Sequence, residues 1–181
     1  MKQNKLVAID TETSGLCPRS NALLQVAMVP INFDANPISI NVAPESIKWQ
    51  PTAKKMFEPQ EAEWMASVVD YAAGLSLIEG WLAAAGSCIL VGHNVGFDVS
   101  FLKQLSATGG LPRGLHHRSI DTYTLAHAAF AHAGADMPDG LTALLDHFCI
   151  FVPGHDRHTA IGDALATAAL YKELMKMLVK E

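Results

Sequence analysis

The sequence predicts a mixed α/β fold: a five-stranded sheet that opens as an antiparallel meander, continues with parallel strands, and carries helices on its faces. Two observations predict it. Roughly the first forty residues hold three strand-like segments with short connections. Later, short apolar runs alternate with segments of helical period. Strands first, then strands alternating with helices, imply a mixed sheet covered by helices.

Leu6-Val7-Ala8-Ile9 reads as a buried strand from its unbroken apolar run, and it leads into Asp10 and Glu12. Ala22 to Ile31 reads as a second strand, with Pro30 marking an end or an edge. Ile38 to Val42 alternates apolar with polar residues and reads as a third. The polar stretch from Ala43 to Pro59, with Pro44 and Pro51, reads as a loop. Gln60 to Ala85 is helical in pattern, and Gly74 and Gly80 divide it. Cys88 to Val91 reads as a central strand, and Val95 to Ser106 as a helix closed by Gly109 and Gly110. A short strand near Ser119 to Asp121 leads into a helix from Thr122 to Ala133. After a turn through Gly134 to Asp139, a short helix runs from Leu141 to His147. A loop at Pro153 and Gly154 precedes the last helix, Thr159 to Val179, whose Ala160, Ala164, Ala168, Tyr171, Met175 and Leu178 form one stripe. No repeat interrupts the chain, so residues 1–181 read as one domain.

Half of the 181 residues are hydrophobic and 17% are charged, which excludes a disordered tail. No apolar run reaches the length of a membrane span, and Met1 to Lys5 lacks the apolar core of a secretory signal. Cys17, Cys88 and Cys149 are widely spaced, which points to reduced thiols in a cytoplasm and away from a zinc knuckle. A net charge of -5 is unexpected for a nucleic-acid binder, since nonspecific affinity comes from basic residues on phosphates. Any such role must rest on bound cations or on local basic patches: Lys48, Lys54 and Lys55, or Arg113, His116, His117 and Arg118. Each patch, taken alone, also reads as solvated surface charge.

Chemistry concentrates in three stretches. Asp10 and Glu12 alternate on a strand, so they project side by side. Such a pair is a solvated acidic turn, or it raises a pKa or holds a cation. In the second stretch Asn94 is placed to cap a helix whose first turn carries Asp98. Phe97, Phe101 and Leu102 surround that acid with apolar bulk, so it needs a partner. In the third stretch, His158 and Asp163 are five apart, ~140° around a regular helix. They converge only if His158 lies on the loop before the helix, with Thr159 as its N-cap. Carboxylate oxygens suit Mg²⁺ or Mn²⁺ better than zinc. Two such ions would hold the attacking water and leaving oxygen of a phosphodiester in line. Histidine is a suitable general base near neutral pH.

Asp10-Thr11-Glu12-Thr13-Ser14-Gly15-Leu16, Gly92-His93-Asn94-Val95-Gly96-Phe97-Asp98 and His158-Thr159-Ala160-Ile161-Gly162-Asp163 together resemble the three motifs of the DEDDh 3'–5' exonucleases. That family includes RNase T and the proofreading subunit of bacterial DNA polymerase III, and the resemblance spans residues 6 to about 172. It implies an RNase H-like fold and stepwise release of nucleoside 5'-monophosphates from the 3' end of single-stranded DNA or RNA. Carried over by position, Asp10, Glu12, Asp98 and Asp163 would ligate two Mg²⁺ or Mn²⁺ ions, with His158 as general base. Thr11, Thr13, Gly15 and Leu16 would line the pocket of the last nucleotide. Phe97 and Phe101 either stack on bases or pack in the core, and His93 and Asn94 either touch substrate or orient the turn. Asp121 matches an acid common in the family that is not a ligand there, and reads as a helix cap. The resemblance leaves open a polymerase partner, as a proofreading subunit, or a homodimer. A haloacid dehalogenase-type phosphatase also begins with two acids one residue apart, but that chemistry usually has Asp where this chain has Glu12. A noncatalytic module with a degenerate site is a further rival, opposed by the presence of all four acids and His158.

Overall fold

The apolar run of β1 (Lys5–Thr13) dictates a central position, because a strand apolar on both faces must be covered on both. A computed structural model, describing residues 4–153 and 158–179, places it there. β1 pairs antiparallel with β2 (Leu23–Pro30), which pairs antiparallel with β3 (Ile38–Ala43). On its other side β1 pairs parallel with β5 (Cys88–Gly92), and β5 with β6 (Leu115–Asp121). A two-residue strand, β4 (Val69–Asp70), adds to β3 in parallel, giving six strands in the order β4-β3-β2-β1-β5-β6. The mixed sheet is the expected one, with a short sixth strand at its edge.

Helices cover both faces. Val7 and Ile9 pack with Met28, Val26 and Leu90 against Ile78 and Leu82 of α3 (Tyr71–Ala85) and Phe101 and Leu102 of α4 (Val95–Leu102). Ala8, on the opposite face, meets Ala27, Val29 and three alanines of α7 (Ala160–Leu178). Side chains this small allow α7 to lie close against the strands. Outside α7, α5 (Thr122–Ala133) and α6 (Gly140–His147) bury Phe130, Leu144 and Leu145 with Leu170 and Leu174. Cys17, Cys88 and Cys149 are free thiols, and no helix among the described residues is long and apolar enough to cross a membrane.

Several boundaries differ from the sequence reading. The expected loop from Ala43 to Pro59 contains α1 (Pro51–Phe57), with Pro51 in its first turn, where a missing N–H costs nothing. A 3-10 turn (Glu58–Gln60) joins it to α2 (Glu61–Ser67). The break before α3 falls at Val68–Asp70 and not at Gly74 or Gly80, which lie inside the helix. Gly74 is there because α3 crosses β3 closely: a Cβ would sit 2.5 Å from Cγ1 of Val42. Gly154 of the expected loop, with His155, Asp156 and Arg157, lies outside the described residues.

Candidate active site

Alternation along β1 sorts its side chains. Thr11 is buried on the α4 side, where its hydroxyl donates to Oδ1 of Asp98 at 2.8 Å. Asp10 and Glu12 continue the face of Ala8, toward α7. Register places Gln25 of β2 opposite Glu12 and Ala27 opposite Asp10. From above, the first turn of α7 presents Asp163. Carboxylate oxygens of Asp10, Glu12 and Asp163 lie within 4.8 Å of one another. Asp98 stands outside that trio, 4% exposed and held by Thr11.

The electrostatics follow from this crowding. Two charges ~5 Å apart repel by about 3 kcal/mol at an effective dielectric constant near 20. Three such pairs exceed what hydrogen bonds of about 1 kcal/mol each offset. Burial, then Asp98, Glu12 and Asp163, pushes the Asp10 carboxyl well above the usual carboxylate range. Burial, then Asp163 and Asp98, raises Glu12 to about 8. Burial raises Asp98 to about 7, against the Thr11 hydrogen bond. Acids that resist ionising alone, with hard oxygen donors converging, fit a divalent cation.

Local chemistry shapes the surroundings. The Thr13–Leu16 turn is braced by Thr13 Oγ1 donating to the Gly15 carbonyl at 2.8 Å, and by Ser14 Oγ donating to the Lys48 carbonyl at 2.8 Å. Gly15 must lack a side chain, since a Cβ would meet the Asn21 amide at 2.6 Å. Leu16 projects outward, 76% exposed. Thr159 caps α7 as expected, its hydroxyl accepting from the Gly162 N–H at 3.2 Å. His158 therefore lies on the loop before the helix. It is exposed and left-handed, with φ 61°.

The second motif is organised differently from the sequence reading. Asn94 is exposed and left-handed (φ 65°), and its side chain makes no capping hydrogen bond. Asp121 caps α4 instead: its Oδ2 accepts from the Val95 N–H at 2.8 Å while Oδ1 accepts from the Thr124 N–H at 2.9 Å. One carboxylate thus closes α4 and α5 together, which sequence could suggest only for α5. Thr122 donates to the Gly92 carbonyl, so the His93 Nδ1 contact to the same hydroxyl, 3.0 Å, makes His93 the donor. Phe97 is half-buried with its ring 4.8 Å from that of Phe101, which is fully buried. Of the basic candidates, Lys54 pairs with Glu61 over the Trp49 ring and Arg113 pairs with Glu79 at 2.6 Å, while Lys48 and Arg118 are exposed.

Comparison with known proteins places the chain in a family. The family model described as exonuclease, RNase T, matches residues 7–171. A ribonuclease T from Hahella chejuensis is 29% identical over 91% of this chain and 80% of its own length. A DNA polymerase III subunit epsilon-like protein from Rhodobacter capsulatus is 30% identical over 95% of this chain, but only 24% of its own length is matched. Among solved structures, exonuclease I of Methylocaldum szegediense superposes with a TM-score of 0.75 at 17% identity, over 96% of this chain and 40% of that one. E. coli exonuclease I in complex with a dT13 oligonucleotide gives 0.74 at 24%, over 96% and 41%. The chain thus spans less than half the length of these last three proteins.

Proposed function

The chain belongs to the RNase T family of exonucleases, and from its site we propose that it removes nucleotides one at a time from the 3' end of single-stranded DNA or RNA. The observation that carries this reading is the convergence of Asp10, Glu12 and Asp163, with Asp98 close enough to raise the first two. The family match overturns the phosphatase reading, and the nuclease assignment the noncatalytic one.

Asp10, Glu12 and Asp163, with Asp98 beside them, would hold two Mg²⁺ or Mn²⁺ ions, the ions to which such oxygen donors are suited. When bound, these cations would supply positive charge to the attacking water and the leaving oxygen. The chain's own residues do the rest. His158, exposed at the mouth of α7, accepts the proton of the attacking water. The water oxygen bonds to phosphorus, the bond to the 3' oxygen of the preceding nucleotide breaks, that oxygen takes a proton from solvent water to become the new 3' hydroxyl, and a nucleoside 5'-monophosphate departs. Thr13, Gly15 and Leu16 shape the pocket of the terminal nucleotide, and the half-exposed Phe97 offers it an aromatic face. Thr11 acts through Asp98. His93 and Asn94 lie on the turn between β5 and α4. A second reading, a polymerase-docked editing subunit, is favoured by the identity to the epsilon-like protein.

The test is a gel of 5'-labelled single-stranded DNA and RNA oligonucleotides with Mg²⁺ or Mn²⁺. A ladder shortening from the 3' end is expected, lost in Asp10→Ala and reduced about 10²- to 10⁴-fold in His158→Ala. Identical traces from wild type and Asp10→Ala would end the proposal.

A further inference from the structure

His158 sits in a conformation it would not choose. A non-glycine residue at φ 61° is strained and persists where its surroundings impose it. Two glutamines distant in sequence supply that imposition. The Gln60 Nε2 donates to the His158 carbonyl at 2.8 Å. The Ala160 N–H donates to Oε1 of Gln25, the residue opposite Glu12, at 3.3 Å. The loop is thus clasped on both sides of the capping Thr159.

We propose that Gln60 is a positioning residue for the general base, holding the His158 backbone so that its imidazole meets the attacking water. Only the amide nitrogen can face a carbonyl, which fixes the side chain's orientation. Its other atom, Oε1, is buried without a hydrogen-bond partner among the described residues. An unpaired buried acceptor lowers stability, so the fold gains little from this amide, and the single bond to His158 is what it contributes.

The support beneath Gln60 is rigid. It lies between Phe57 and Trp64, whose rings meet edge to face at 5.7 Å, and the Trp64 indole donates to the Leu24 carbonyl at 2.9 Å. The same segment braces the opposite side of the site. Just before α1, the Gln50 N–H donates to the Ser14 carbonyl at 2.8 Å, and Oε1 of Gln50 accepts from the Leu16 N–H at 3.2 Å. The stretch from Gln50 to Trp64 therefore sets the distance between the nucleotide turn and the histidine loop. A misplacement of about 1 Å in such a group costs on the order of a hundredfold in rate.

The inference rests on His158 being the base, and the experiment separates the two. Gln60→Met approximates the side chain's length without a donor, and Gln60→Leu is a second donorless variant should Met mispack. Both are expected to lower kcat 10- to 100-fold, with KM and calorimetric Mn²⁺ affinity within twofold of wild type. Hydrogen exchange of the His158–Asp163 amides, read by mass spectrometry, is expected to accelerate. In His158→Ala the Gln60→Met change is expected to have no further effect, because there is no base left to position. Wild-type kcat in both Gln60 variants overturns the proposal, as does an equal further loss in the His158→Ala background. A fully active His158→Ala protein overturns the base assignment itself, without reference to Gln60, and the proposal falls with it.

Discussion

Asp10, Glu12 and Asp98 put the protein's stability and its chemistry in opposition. Each carboxyl has a folded-state pKa above its ordinary value, so the folded chain holds protons that the unfolded chain releases. The stability these three groups contribute to the metal-free protein is therefore fully present below the ordinary carboxylate pKa of ~4. It declines as pH rises toward about 7 and 8, where Asp98 and Glu12 ionise within the fold. In EDTA, thermal melts are expected to show a falling Tm from pH 5 to pH 8. Asp10→Asn is expected to raise the Tm at pH 8 while abolishing nuclease activity, and Mn²⁺ to stabilise wild type far more than this variant. A Tm in EDTA that rises over this interval would contradict the assignment. These acids were legible in the sequence because a carboxylate in an apolar strand or helix needs a reason to be there. Gln25 and Gln60 were not. A neutral amide is unremarked on any surface, and their contacts lie 135 and 98 residues away.

Elements show the same division. β1, β2, β5, α5 and α7 announce themselves through apolar runs or helical periods, and the Thr159 cap through the spacing of His158 and Asp163. α1 hid behind Pro51, which suits a helix's first turn as well as a loop, and β4 is two residues, too short to show a period, paired with β3. Asp121 hid half its work, since the Val95 N–H it accepts belongs to another helix. That double duty has a measurable cost. A lost cap is worth about 1 kcal/mol, so Asp121→Ala forfeits roughly 2. For a domain of this size the Tm should fall by about 4–8 °C. Asp121→Asn is expected to recover about half, because its oxygen can cap α5 while its amide then faces the Val95 N–H with donor against donor. Equal melting of the Ala and Asn variants would show that only the α5 cap matters.

At the scale of the whole molecule, the sheet brings together what the chain keeps apart. The small-residue contact of Ala8 and Ala27 with Ala160, Ala164 and Ala168 lets α7 close on β1 tightly enough for Asp163 to join Asp10 and Glu12. That contact also acts as a clock during synthesis. Asp163 follows Asp10 by roughly 150 residues, so at ~5–20 residues per second the first acids wait on the order of 8–30 s for the last. The site proposed for catalysis is thereby incomplete until α7 has cleared the ribosome. Nascent chains arrested after residue 150 are expected to leave a labelled oligonucleotide intact, and chains carried past α7 to begin degrading it.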